Sequence, residues 1–250
     1  MHCKYVKHFL WALKSGHVSF SQSPLLICKI VFNFIIKKCM LVLGFIVPNV
    51  ELSPMCHAQF KPGPPSELAQ TASQFVNEVL QSSNLIDLKD LCIIEGKLVW
   101  VLKADITCLN LDGNVLDSAL KALVSALKNT QLPTVTIKED EDETVVAKSL
   151  QDSIEVNIEE KVKLRLGSEP VACSIAVFND KLLVDPTDEE ESFSQSVVTI
   201  VVDSKSGEIC HFQKSGGVAL SRETVQECTS LAKKQAKLIQ SMLSKVAKNS

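Results

Sequence analysis

Residues 98–109 read LVWVLKADITCL, and this stretch decides the fold. Its Val, Ile, Leu and Trp content is typical of a mostly buried strand, since such side chains pack well on a covered, pleated surface. Asp112-Gly113-Asn114 follows as a turn, and residues 117–129 then place apolar side chains at helical spacing. Pro133 closes this unit. The sequence therefore predicts a strand, a glycine turn and a helix, whose inward side chains are Ala119, Leu120, Leu123, Val124 and Leu127.

A second helix is predicted upstream of this strand. Residues 62–65 read PGPP and break any regular element, and Ser66 then stands where an N-cap belongs, with Glu67 in the first turn. The apolar face of this helix is expected to comprise Leu68, Ala72, Phe75, Val76, Val79 and Leu80.

The second half of the chain reads mostly as strands. Residues 173–178 and 182–184 flank Asn179-Asp180, and residues 197–202 and 209–212 flank a turn at 203–207, so two hairpins are expected. Ser221 caps a long final helix. Its apolar stripe is Val225, Cys228, Leu231, Ala232, Leu238, Ile239, Met242 and Val246. This order predicts an α+β fold with helices on mixed sheets.

The first 47 residues differ from the rest in charge and composition. The six lysines of residues 1–50 give +6 and leave −9 for residues 51–250, since the whole chain carries −3. An acidic body binds nucleic acid poorly unless basic side chains are grouped locally. Residues 25–36 and 40–47 are apolar, but neither stretch reaches the ~18 residues of a membrane span. A targeting or membrane role for this head stays an alternative, while the expectation is a segment without a function of its own.

Motifs for catalysis and metal binding are missing from the sequence. No nucleophile-elbow, P-loop or zinc-protease motif occurs, and nine scattered Cys show no zinc spacing, which indicates reduced thiols. His57 and His211 lack a partner nucleophile at a recognisable spacing. The acidic run 139–143 is expected to be an exposed loop, because consecutive carboxylates do not wrap a cation. The run 185–191 could hold a metal or supply an acid and a base, but catalytic pairs usually come from separate elements, and a hydrophilic run after Pro186 is more often an exposed loop. We therefore expect no catalytic residue, no metal and no cofactor.

The junction at Gly113 is the one place that suggests a ligand. A glycine turn at a helix N-terminus can hold phosphate through backbone N–H groups. Here Asn114, Val115 and Leu116 follow, and Asp117 adds a negative charge. Phosphate binding is thus disfavoured, and a tight turn that packs a helix on its strand is the preferred interpretation.

Several motifs together resemble one known family. They are VPNV at 47–50, KPGPPSE at 61–67, GKLVWVL at 96–102, LDGNVLD at 111–117, PVA at 170–172, LVDPT at 183–187 and EEE at 189–191. In this order they are similar to a eukaryotic RNA exosome ring subunit of the RNase PH family, over about residues 46–250.

The resemblance implies a fold, partners and a function. The fold would be RNase PH-like, of the ribosomal protein S5 domain 2-like type, with two halves of mixed sheets and helices. Such subunits form heterodimers within a six-membered ring, carry S1/KH cap subunits and thread RNA through the channel to an associated exonuclease. They support 3′–5′ RNA processing and decay in nucleus, nucleolus and cytoplasm, without a membrane partner.

The departures from the family bear on activity. Active relatives carry a Gly-Thr-Arg-Thr-like phosphate loop where this chain has Gly113-Asn114-Val115-Leu116, and a later Asp where it has residues 194–196, SQS. Asp185 remains as a residual acidic position. A non-catalytic subunit is therefore expected, and an active phosphorolytic exoribonuclease is the alternative. Lys97, Lys103 and Lys214 are candidates for RNA binding, with an ordinary solvated lysine as the alternative for each.

The head is the largest departure, since the family's N-terminal helix and strands are not recognisable in it. Residues 1–47 are accordingly assigned to an atypical basic and hydrophobic head. Residues 48–135 would form the remainder of the first RNase PH half, and 136–250 the second half with its long helix. An incomplete first half would leave an exposed sheet edge, which is an aggregation risk.

Overall fold

The computed structural model describes residues 9–10, 25–36, 43–95, 98–137, 154–179 and 181–248. The strands are β1 (Phe9–Leu10), β2 (Leu25–Ile36), β3 (Phe45–Leu52), β4 (Cys92–Ile94), β5 (Leu98–Asn110), β6 (Gln131–Ile137), β7 (Ile154–Lys163), β8 (Pro170–Phe178), β9 (Lys181–Val184), β10 (Ser196–Asp203) and β11 (Ile209–Lys214). The helices are α1 (Glu67–Ser82), α2 (Val115–Lys128), α3 (Asp188–Phe193) and α4 (Arg222–Lys248).

Two larger sheets carry the fold. The first has the order β1-β2-β5-β3, with β4 also paired to β5; β2 runs antiparallel and β3 parallel to β5. The second is antiparallel, in the order β11-β10-β8-β9. A separate hairpin joins β6 to β7. The prediction of an α+β fold with mixed sheets is confirmed.

The helices fill the space between and behind these sheets. One core contains the first sheet, α1 and α2, and it reaches the second sheet at Ala172 and Val201. The other core packs α4 on the opposite face of the second sheet through Cys228, Ala232 and Ile239. Strand β8 is consequently buried along both faces, which explains its nearly continuous apolar sequence.

The helix ends follow local rules. The Ser66 Oγ accepts the Ala69 N–H at 3.2 Å, and the Ser221 Oγ accepts the Thr224 N–H at 3.2 Å, so both predicted N-caps are confirmed. Helix α2 begins two residues earlier than predicted, directly after the turn at Gly113. Two predicted inward residues are wrong: Leu68 and Leu238 are 40% and 53% exposed.

Pro133 does not close the central unit as predicted. It lies inside β6, opposite Lys161, where the ladder with β7 shifts register. Proline is tolerated there because β6 belongs to a two-stranded sheet whose ladder is already interrupted.

Two strands of the first sheet lie at or before the boundary predicted at residue 47. Strand β3 runs across it, and β2 lies within the predicted head yet pairs with β5 over its whole length. The side chains of Leu26, Cys28 and Ile30 are buried in the first core. The head therefore contributes a strand to the first sheet. Strand β3 forms one edge of that sheet, with Phe45 and Val47 39% and 49% exposed.

Candidate functional site

The turn between β5 and α2 is packed against the segment that follows β9. Gly113 has φ +77°, and a Cβ at this position would lie 2.6 Å from the Asp188 nitrogen and 2.7 Å from the Pro186 oxygen. Both the backbone conformation and the close approach therefore require glycine. The sequence predicted the tight turn, and the structure shows that residues 186–188 pack against it.

A carboxylate of the same chain covers the N-terminus of α2. The N–H of Asn114 donates to the Glu191 Oε1 at 2.7 Å, and Asn114 itself adopts a left-handed conformation with φ 45°. Thr187 and Glu190 form a capping box that starts α3 and fixes the segment carrying Glu191. Backbone N–H groups at a helix N-terminus favour anions. In this protein the anion is Glu191.

The Asn114 side chain joins two further carboxylates. Its Nδ2 donates to the Asp117 Oδ2 at 3.1 Å and also to the Asp185 Oδ1. Asp185 follows β9 in a left-handed conformation with φ 60°. Asn114 is buried, and its Oδ1 has no hydrogen-bond partner in the described part of the chain. One amide thus holds together the start of α2 and the end of β9.

Asp117 continues this network into the second sheet. Its Oδ2 accepts the Ser174 N–H and its Oδ1 accepts the Ser174 Oγ–H, each at 2.8 Å. The Ser174 Oγ lies 2.9 Å from the Thr199 Oγ1 on β10. Because α2 belongs to the first half and β8 and β10 to the second, these bonds fix the two halves to each other.

The pKa values of two carboxyl groups in this cluster are raised above their usual range. Burial raises the pKa of Asp117, against the lowering effects of Lys121 and of its hydrogen bonds. Burial also raises the pKa of Glu191, where the Asn114 N–H acts in the opposite direction and the charges of Asp188, Asp117 and Asp185 add to the rise. A phosphate group would be repelled by the same charges.

The predicted phosphate-loop positions therefore have structural contacts. Val115 is buried and Leu116 is half-buried against the first core, so neither presents a side-chain donor. Asp185 is joined to the loop through Asn114. The sequence pointed to Asp117 as an unfavourable charge and placed Glu191 in an acidic run expected to be an exposed loop. It did not indicate Ser174 or Thr199, because no local pattern marks them.

The three lysines suggested for RNA do not form one group. Lys97 lies outside the described residues. Lys103 is exposed on β5 of the first sheet, whereas Lys214 ends β11 of the second sheet and donates to the Gly216 oxygen. The acidic run 139–143 also lies outside the described residues, and Asp188–Glu191, expected in a loop, belong to α3.

Among the residues with described structure, no group of three or more His, Cys, Asp and Glu side chains could hold a metal ion. No helix in that part of the chain is long and apolar enough to cross a membrane.

The first half has a mixed sheet and the second an antiparallel sheet, each with its helices, and α2 joins the two halves. This arrangement defines a protein of the RNase PH type. The sequence agrees: the 3′ exoribonuclease family, domain 1, matches residues 33–133, and its domain 2 matches residues 168–235. This chain belongs to the 3′ exoribonuclease family. The first match begins within the predicted head, in agreement with the pairing of β2.

Relatives with curated names are exosome components. The chain is 45% identical over 190 residues to exosome complex component rrp43 of Schizosaccharomyces pombe, covering 76% of this chain and 66% of that protein. It is 35% identical to exosome complex component Rrp42 of Methanopyrus kandleri, covering 77% and 67%. It is 34% identical to exosome complex component RRP45 of Danio rerio, covering 82% and 50%. The chain thus spans about two thirds or less of the length of these relatives.

A solved structure shows the same architecture. The chain superimposes with a TM-score of 0.66 and 27% identity on a chain of the structure titled Archaeoglobus fulgidus exosome with RNA bound to the active site. The superposition covers 95% of this chain and 87% of that one. The RNase PH-like fold inferred from the motifs is confirmed.

Proposed function

We propose that this chain is a non-catalytic structural subunit of the RNA exosome core ring. It supports 3′–5′ RNA processing and degradation by assembling with other subunits and by guiding RNA. The support comes from the curated relatives, which are exosome components of three kinds, and from the likeness to an exosome chain solved with RNA.

The observation that carries the non-catalytic assignment is the contact between the Glu191 carboxylate and the Asn114 N–H at 2.7 Å. A phosphate at this turn would need the same N–H and a free approach to Gly113. The segment 186–188 occupies that approach, and Asp117 and Asp185 add negative charge beside it. Phosphorolysis requires a bound phosphate, so this arrangement opposes it.

The partners follow from the same assignment. We propose a heterodimer with another RNase PH-like subunit within a six-membered ring, together with S1/KH cap subunits, an associated exonuclease and RNA in the assembled channel. The proposed locations are nucleus, nucleolus and cytoplasm, where RNA maturation and decay take place.

Assembly is tested by affinity purification of the tagged full-length chain from eukaryotic cells, with quantitative mass spectrometry. The expected result is stoichiometric recovery of ring and cap subunits. A matched control carries Leu120→Asp, which places a charge in the first core and should abolish recovery. Recovery of chaperones alone by the unaltered chain would contradict the assignment.

Catalysis is tested separately with the purified chain and the purified ring. Labelled RNA is incubated with and without inorganic phosphate, and nucleoside diphosphates are measured. No phosphate-dependent release attributable to this chain is expected. Release that persists in a ring containing this chain, and that is lost on Asp185→Asn, would establish the phosphorolytic alternative.

A further inference from the structure

The last part of the chain has a charge opposite to that of the rest of the body. Residues 228–250 contain five lysines and no Asp, Glu or Arg, so they carry +5. Residues 51–227 consequently carry −14, since residues 51–250 together carry −9. Phosphate affinity comes mainly from grouped basic side chains, so a polyanion is attracted to this stretch and repelled by the remainder of the body.

Helix α4 presents three of these lysines to solvent. Its opposite side packs on the second sheet through residues that include Cys228 and Ala236. Lys233, Lys234 and Lys237 are all exposed. Positions three and four apart in a helix lie on neighbouring turns of the same side, so Lys237 follows the other two at about 4.5–6 Å along the helix axis. These three side chains are called the lysine face below.

No acid of α4 lies close to the lysine face. The nearest in the sequence is Glu227, six residues before Lys233 and about 9 Å away along the helix axis. Within the described ranges, none of the three ammonium groups forms an ion pair or a hydrogen bond. All three charges are therefore available to a ligand.

The lysine face lacks the anchors of a protein interface. Such interfaces bury aromatic and apolar side chains at their centre and are depleted in lysine. Here residues 228–250 contain no aromatic side chain, and Leu238, 53% exposed, is the apolar neighbour of the lysines. The surface therefore suits a hydrated, flexible polyanion better than a packed protein surface.

We propose that Lys233, Lys234 and Lys237 bind the sugar–phosphate backbone of single-stranded RNA, an inference that rests on the proposed function. Ammonium groups on adjacent helical turns reach neighbouring phosphates of one strand, because lysine side chains are long and flexible. With no aromatic side chain available for stacking a base, recognition is of phosphate and not of sequence. The lysine face and α2 lie on opposite sides of the second sheet, so this contact is independent of the turn at Gly113.

Counterion release gives the expected magnitude. Each phosphate neutralised on a single strand contributes about −0.7 to the slope of log K against log salt concentration. Three contacts give a slope of about −2, so a tenfold decrease in salt concentration strengthens binding about 100-fold.

The test uses the purified full-length chain and a fluorescently labelled oligouridine RNA, with binding followed by anisotropy across a salt series. The variant K233Q/K234Q/K237Q removes the three charges and keeps good helix formers at all three positions. We expect this variant to reduce the salt slope by about 2 and to lose most of the affinity gained at low salt.

Two control variants separate the lysine face from charge in general. K61Q/K89Q/K181Q removes three exposed lysines that lie far apart in the chain, so its net charge equals that of the first variant. K233R/K234R/K237R keeps the charges of the lysine face. Both controls are expected to retain the affinity and the salt slope of the original chain. Equal losses in the two glutamine variants, no loss in the first, or failure of the arginine variant to bind would overturn the proposal.

Affinity purification of K233Q/K234Q/K237Q separates this contact from the proposed function. Retained ring subunits with lost RNA binding support the RNA contact. Loss of ring subunits, with RNA binding either kept or lost, would assign the lysine face to a protein partner and overturn the proposal. RNA binding that depends on the lysine face, in an original chain that recovers no ring subunits, would refute the ring assignment and leave this contact standing.

Discussion

Replacing Asp117 by alanine removes the carboxylate that joins α2 to β8. The Ser174 N–H would then be buried without an acceptor, which costs about 1–3 kcal/mol. Loss of the bonds from the Ser174 hydroxyl and from Asn114 adds to this, whereas removal of a buried charge offsets part of it. We expect D117A to lower the free energy of unfolding by about 2–4 kcal/mol.

Replacing Asp117 by asparagine is the matched control. The amide oxygen can accept from the Ser174 N–H and from Asn114, and the amide nitrogen can donate to the Ser174 Oγ, whose hydrogen then goes to Thr199. Every bond is kept and no charge is buried. D117N should therefore lie within about 1 kcal/mol of the original protein.

Chemical denaturation of the full-length variants, followed by the fluorescence of buried Trp100 and by circular dichroism, measures both values. Equal stabilities of D117A and D117N would refute the argument, because they would show that the hydrogen bonds of Asp117 contribute nothing beyond its charge.

Two further outcomes concern the same junction. Because the pKa of Glu191 is raised in the folded chain, its contribution to stability is fully present below its unfolded pKa of about 4.3 and is lost as pH rises through the folded value. The free energy of unfolding of E191Q should therefore rise relative to that of the original protein as pH increases from about 4 to neutrality. A difference in denaturation midpoints between the two proteins that stays constant with pH would contradict this. Gly113 and Gly207 have φ +77° and +74°, but only Gly113 meets neighbouring backbone. G207A should lower the free energy of unfolding by about 1–2 kcal/mol, and G113A should lower it by at least about 1 kcal/mol more. Thermal unfolding measures both values, and equal losses would exclude the packing argument.

The elements that the sequence predicted best are those set by local chemistry. Ser66 and Ser221 cap their helices, and the run at 98–109 is a buried strand. Helical spacing predicted the wrong buried residue where tertiary packing sets which side of a helix is covered. At the start of α1, Ala69 is buried in place of the predicted Leu68. The β6–β7 hairpin was missed because Pro133 reads as a breaker in isolation.

The candidate site was predicted only in part, for reasons of distance along the chain. The sequence indicates that the turn at Gly113 cannot hold phosphate well, because Asp117 and two apolar residues follow it. The groups that fill the site lie 57, 71 and 77 residues away from their partners, at Ser174, Asp185 and Glu191. No periodicity or motif connects positions so far apart, so only the folded chain brings them together.

The position of β5 between β2 and β3 has a consequence for synthesis. Both neighbours of β5 precede it in the chain, so on the ribosome they emerge before the strand with which they pair. Their apolar side chains and unpaired backbone groups stay accessible until residues 98–110 leave the exit tunnel. The interval in which a nascent chain needs protection from aggregation is therefore set by the translation time between residues 36 and 110.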